Sequence, residues 1–227
     1  ERTVVIISDA MRYEVGRQLY LQMQDDPKCT AKMGTMLGIL PSYTRLGMAA
    51  LLPHNTLSMK DDYTVLVDGK GCENLTERQT ILQMYQPDAL CLQFDDIKNR
   101  KIAELREIFT GRQLLYVYHN QIDARGDKAN TEDEVFVACK EAVREIMEFI
   151  HRISTSANTY HFIVTSDHGF LYKRDKITES EKISGVSGKK AFVNRRFIVA
   201  DSAVVGDGID CLSLGKLLGN EDARVVS

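Results

Sequence analysis

Val4-Val-Ile-Ile7 is an unbroken β-branched run, and a strand of that kind needs both faces buried, as in the middle of a parallel sheet. It ends in Ser8-Asp9 and leads into Met11 to Met23, where Met11, Val15, Leu19 and Met23 recur four apart on one helical face. Tyr63 to Val67, Ala89 to Leu92, Leu114 to Tyr118 and Phe162 to Thr165 repeat the strand signal. Leu75 to Tyr85, Ile97 to Phe109 and Thr131 to Ile153 repeat the helical one. The alternation predicts an α/β fold, an open, mostly parallel sheet with helices on both faces. Thr131 and Glu134 have the spacing of a capping box. Ala191 to Ala200 reads as one more strand after a surface excursion over 169–188, and the tail from Ser202 holds little beyond a short helix at Ser213 to Leu218.

The chain has 227 residues, enough for one large α/β domain burying roughly 70 to 75% of its unfolded surface. We expect a single domain over 1–227, belonging to a longer protein. A formal charge of -3 gives no global attraction to nucleic acid or membrane. No apolar run approaches the length of a membrane span. Five cysteines, none in a C-x-x-C pair, predict neither a zinc ribbon nor a disulfide framework and suit the reducing cytoplasm. One local basic stretch stands out: residues 173–196 hold eight Lys and Arg against three Asp and Glu. It reads either as a solvated hairpin face or as a nucleic-acid contact.

Three strand candidates end in chemistry-bearing residues: Ile7-Ser8-Asp9, Tyr118-His119-Asn120 with Asp123 beyond, and Thr165-Ser166-Asp167-His168. Ligand sites of open parallel sheets lie past the carboxyl ends of the strands. Asp9, Asp123, Asp127, Asp167 and His168 are therefore expected to converge, and carboxylates at that density need a divalent cation. Each also has a plainer reading. A lone Asp after a strand usually caps the next helix or makes an Asx turn, and Asp123 to Asp127 also suits a solvated loop. His54, His151 and His161 have no partner at ligand spacing and read as ordinary residues.

Pro41-Ser-Tyr-Thr44-Arg45 precedes the apolar stretch Leu46 to Leu52 and marks a helix start. Ser42 or Thr44 is either a cap or a hydroxyl placed for nucleophilic attack. Gly69-Lys-Gly71 lacks the third glycine of a dinucleotide fingerprint, and Gly185 to Lys189 is too short for a P-loop. Ser187 is no nucleophile elbow.

Five ordered blocks, Val4 to Glu14, Leu40 to His54, Val67 to Lys70, Tyr116 to Asp127 and Thr165 to Tyr172, resemble the PglZ domain family across about residues 3 to 200. The resemblance implies an alkaline phosphatase-like fold and a place in bacterial phage defence of the BREX and phage-growth-limitation type. It implies one metal on Asp9, Asp167 and His168, a second on Asp123 with Asp127 where histidine is common, and Thr44 as nucleophile, ahead of Ser42. No late histidine follows His168, so the second metal site is expected to be incomplete in this stretch. The implied cofactor is Zn, with Mn or Mg as alternatives. Arg12, Arg45 and Lys70 lie in the matching blocks as candidate phosphate ligands, and a solvated surface role suits each equally. The implied substrate is a phosphodiester, such as a nucleic acid or nucleotide, and the partners are other defence components. The competing expectation is a catalytically silent scaffold.

Overall fold

The computed structural model describes residues 1–126, 134–169, 192–194, 197–200, 211–218 and 224–226. Four parallel strands stand in the order β5 (Leu90–Gln93), β6 (Leu114–His119), β1 (Thr3–Ser8) and β7 (His161–Thr165). Ser8 is opposite His119, and Ile7 is opposite Thr165. The residues that follow all three strands therefore leave the sheet at the same edge.

Alternation along β1 explains its run of β-branched residues. Val4 and Ile6 face a core with Leu19 of α1 (Tyr13–Gln24), Leu105 of α5 (Ile102–Phe109) and Ile146 of α7 (Val135–Ala157). Val5 and Ile7 face the opposite way, onto Met48 of α2 (Thr44–Ala50) and Leu82 of α3 (Leu75–Tyr85). Successive side chains point to opposite faces of a strand, so a strand covered on both sides has no polar position. The long α7 ends on Asn158, whose φ of 50° is the left-handed conformation that Asn tolerates at a helix terminus. Arg2 and Arg106 donate to the Ala157 and Ser156 carbonyls there, at 2.5 and 2.9 Å.

Several local readings are corrected. Tyr63 to Val67 is no parallel strand: Tyr63 has a φ of 65°, and Val65–Val67 (β3) pairs antiparallel with β2 (Leu57–Met59) and β4 (Lys70–Gly71). Ile97 to Phe109 is two helices, α4 (Phe94–Ile97) and α5, separated where Arg100 N–H turns back to the Ile97 carbonyl. Ala191 to Ala200 yields two short antiparallel strands, β8 (Phe192–Val193) and β9 (Ile198–Ala200). The tail adds β10 (Cys211–Ser213) and β11 (Arg224–Val226), which extend them into a four-stranded sheet, besides the expected short helix α8 (Gly215–Leu218). Thr131 and most of the basic stretch 173–196 lie outside the described residues; α7 begins without a side-chain cap on Glu134.

These smaller sheets share a second core, in which Val65, Val67, Phe197, Val199 and Leu214 pack on Tyr43 and Leu46 at the start of α2. That contact seats α2 between the antiparallel sheets and the parallel one. Among the described residues no helix is long and apolar enough to cross a membrane. Ile6 is fully buried in a strand paired on both sides. Ile6→Ala should cost about 2–5 kcal/mol, measured as a lower urea midpoint with an unchanged slope.

Candidate metal centre

The site is built at the edge where β1, β6 and β7 end. Asp9 continues the pairing of β1, its N–H donating to the His119 carbonyl at 2.8 Å. Ala10 then takes a φ of 61°, a left-handed conformation disfavoured for a residue with a Cβ. The turn aims the Ala10 N–H at Asp167 Oδ1, 3.2 Å away. Asp167 and His168 arrive from the end of β7, and both are buried with Asp9.

His168 Nε2 lies 3.2 Å from Asp9 Oδ1 and 3.6 Å from Asp167 Oδ2. The first residue of α2 completes the group: Thr44 Oγ1 lies 3.2 Å from the same nitrogen and donates to Asp9 Oδ1 at 3.5 Å. Tyr43, with extended backbone, occupies the N-cap position and makes no side-chain cap, so neither Ser42 nor Thr44 is a capping residue. Asp123, on α6 (Gln121–Gly126), joins Asp9 and His168, with one ligand atom from each within 4.8 Å of the others. The strand-end reading expects Asp123 to converge with Asp9 and His168, whereas the family resemblance implies a second metal on Asp123 and Asp127. The structure groups Asp123 with Asp9 and His168, and Asp127 lies outside the described residues.

The electrostatics suit a cation. Burial, then the neighbouring Asp9 charge, push the Asp167 carboxyl up to about 7, with His168 partly opposing. Its Oδ2 is buried and accepts no hydrogen bond from the described residues. Burial disfavours charge on His168, but the hydrogen bond to Asp9 and the charges of Asp167, Asp9 and Asp123 outweigh it and raise its pKa. Carboxylate oxygens around one imidazole nitrogen fit a divalent metal of borderline or hard character.

The candidate phosphate ligands do not behave alike. Arg12 packs its stem against the turn carrying the site, where a Cβ on Gly169 would lie 3.1 Å from Arg12 Cγ, and its guanidinium pairs with Glu14. Arg45 pairs with Glu73 at 3.4 Å, and Lys70 Nζ lies 3.2 Å from Met84 Sδ. His54 and His161 sit apart from the site, beside the Leu52 carbonyl and Glu1.

Sequence reasoning missed two supports. A Cβ on Gly47 would fall 2.2 Å from the Asp167 carbonyl oxygen, so glycine is required for α2 to reach β7's end with Thr44 one turn earlier. Beneath Asp9, Ser8 Oγ lies 3.0 Å from His119 Nδ1, and His119 Nε2 lies 3.3 Å from Glu145 Oε2. This buried chain holds the Glu145 carboxyl below its ordinary range, chiefly through the His119 hydrogen bond. Strand-end His119 was visible in the sequence; its partner on α7 was not.

Gly47→Ala should cost about 1–3 kcal/mol by overpacking and displace Thr44, so thermal stability and any Thr44-dependent activity should fall together. A second expectation concerns pH. In the folded chain Asp167 binds its proton up to about 7 against an ordinary 3.8, so its stabilising protonation is lost as pH rises through that window. His168, raised above 6.5, loses its contribution in the same direction. The metal-free melting temperature should therefore fall as pH rises from 3.8 through about 7. Asp167→Asn should flatten the slope, as should saturating divalent metal.

Residues 1–226 match the family described as the BREX system PglZ alkaline phosphatase-like domain. The chain is 35% identical over 231 residues to the alkaline phosphatase-like protein PglZ of Bacillus cereus (strain H3081.97), covering all of this chain and 26% of that protein. It is 36% identical over 211 residues to the alkaline phosphatase-like protein BrxZ of Escherichia coli O9:H4 (strain HS), covering 91% of this chain and 24% of that protein. The chain thus spans about a quarter of the length of these relatives. With the parallel sheet β5-β6-β1-β7 flanked by helices, it belongs to the PglZ family of alkaline phosphatase-like domains of BREX defence systems.

Proposed function

We propose that this chain is the phosphoryl-transfer domain of a metal-dependent phosphohydrolase, acting on phosphodiesters with Thr44 as the nucleophile. The observation that carries the reading is the Thr44 hydroxyl, 3.2 Å from His168 Nε2 and 3.5 Å from Asp9 Oδ1 within a buried acidic cluster. Asp9, Asp123, Asp167 and His168 are the residues that would hold the metal, Zn before Mn or Mg. Bound there, a divalent ion supplies Lewis acidity to a phosphoryl oxygen and lowers the pKa of a nearby hydroxyl.

The chain's own residues do the rest. Asp9 Oδ1 accepts the Thr44 hydroxyl proton and so orients the oxygen for attack. Thr44 Oγ forms the bond to phosphorus as the bond to the leaving oxygen breaks; the hydroxyl proton passes by way of Asp9 to solvent, and the leaving oxygen takes a proton from solvent to depart as the alcohol. Water then hydrolyses the threonyl phosphodiester, freeing Thr44 and a phosphomonoester. Arg12, beside Gly169, is the cation nearest the Asp167–His168 turn and would meet the equatorial oxygens on releasing Glu14. Arg45 and Lys70 would likewise have to exchange Glu73 and Met84. A nucleic acid or nucleotide is the proposed substrate, and other components of the BREX system are the proposed partners.

Thr44→Ala in the full-length protein should remove turnover of a model phosphodiester by several orders of magnitude, leaving metal content and melting temperature nearly unchanged. Full activity in that variant would transfer the nucleophile to Ser42 or to a water. Intact defence by Thr44→Ala cells, from a protein retaining no metal, would instead establish the scaffold role.

A further inference from the structure

Asp26, Cys29 and His151 meet beyond the C-terminal end of α1, away from the residues of the candidate centre. The turn that ends α1 places two of them: Asp26 N–H donates to the Met23 carbonyl at 3.3 Å, and Cys29 N–H to the Asp26 carbonyl at 3.0 Å. Lys28 N–H donates to Asp26 Oδ1 at 2.9 Å, which fixes the carboxylate. Its other oxygen, Oδ2, lies 2.8 Å from Nε2 of His151 on α7, and Cys29 Sγ lies 3.7 Å from that same nitrogen. One ligand atom from each residue lies within 4.8 Å of the other two. An ion pair between Asp26 and His151 would need no thiol, yet Cys29 is turned onto the nitrogen the carboxylate already faces.

We propose that Asp26, Cys29 and His151 form a second metal site, specific for a thiophilic divalent cation of the Zn²⁺ class, that staples the end of α1 to α7. In a tetrahedral zinc site with Zn–N near 2.0 Å and Zn–S near 2.3 Å, the nitrogen-to-sulfur edge is about 3.5 Å. The observed 3.7 Å separation therefore needs almost no adjustment, and the carboxylate has to withdraw from the imidazole by about 0.5 Å. Thiolate, imidazole and carboxylate together select zinc over magnesium or calcium, which take oxygen ligands. Binding displaces the thiol proton of Cys29 to solvent. His151 is partly exposed, which leaves a fourth position open to water. The proposal is independent of the role of Thr44, because it shares no residue with the candidate centre. The same groove of about 1260 Å³ includes Cys29 and His151 together with Asp167 and His168 in its described lining.

Cobalt(II) titration of the metal-free full-length protein tests it, since sulfur-to-cobalt charge transfer in the near ultraviolet reports thiolate ligation and the Asp9, Asp123, Asp167 and His168 cluster has no sulfur. The wild type should show this absorption with a component saturating at one cobalt per chain. Cys29→Ser should remove that component, and His151→Gln, which keeps the thiol, should weaken it by at least about tenfold in affinity. Asp9→Asn should leave it intact, and zinc should raise the melting temperature of the wild type more than that of Cys29→Ser. Absence of the charge-transfer component in the wild type, or its survival at full intensity in Cys29→Ser, would overturn the proposal.

Discussion

Asp9 and Asp167 are each 4% exposed and both face His168 Nε2, and two buried carboxylates so placed repel unless a proton or a cation stands between them. The surrounding chain is arranged around that repulsion. The Ala10 N–H satisfies one oxygen of Asp167, the histidine stands against both carboxylates, and the Thr44 hydroxyl donates to Asp9. Even a protonated His168 supplies one positive charge against the two carboxylates, not a full compensating charge. A divalent cation would supply it, which is why these residues suit a ligand set for a metal.

Bringing the carboxylates together is a consequence of strand order. β1 lies between β6 and β7 in parallel register, so residues just past the ends of these neighbours emerge side by side however far apart they are in sequence. Two-sided burial of β1 makes the register firm, because a slip by one residue would exchange Val4 and Ile6 with Val5 and Ile7 between two differently shaped cores. The left-handed Ala10 then returns the chain toward Asp167 before α1 starts. Strain of this kind persists only where the surroundings over-determine it, and here α1, β7 and the buried carboxylate do so.

The hydroxyl comes from a different layer. α2 is held from one side by Tyr43 and Leu46 in the core of the antiparallel sheets and from the other by Met48 against β1. Gly47 allows the helix backbone to touch the Asp167 carbonyl. The position of Thr44 is therefore a compromise between two cores, and the edge of the parallel sheet that carries the candidate ligands depends on a small antiparallel region whose described residues carry none of them.

Strands β1, β5, β6 and β7 were legible because both-face burial demands continuous apolar runs, and α1, α3 and α7 because one-face burial demands a helical stripe. The carboxylates and His168 were legible because they directly follow such strands. A short apolar run reads alike in a central parallel strand and in a small antiparallel sheet, so β3 was misassigned. The strands of the tail were missed because β9 pairs with β11, a partner that local periodicity does not reveal. Gly47, the His119–Glu145 pair, and the meeting of Asp26 and Cys29 with His151 had no sequence signal. Each depends on where α2 or α7 lies against another element. The sequence alone determined which side chains would end the strands, since that follows from local burial pattern. Tertiary packing alone decided that Thr44 faces Asp9 and His168 and that Arg45 and Lys70 turn to Glu73 and Met84, because helix placement is set by contacts between residues distant in the chain.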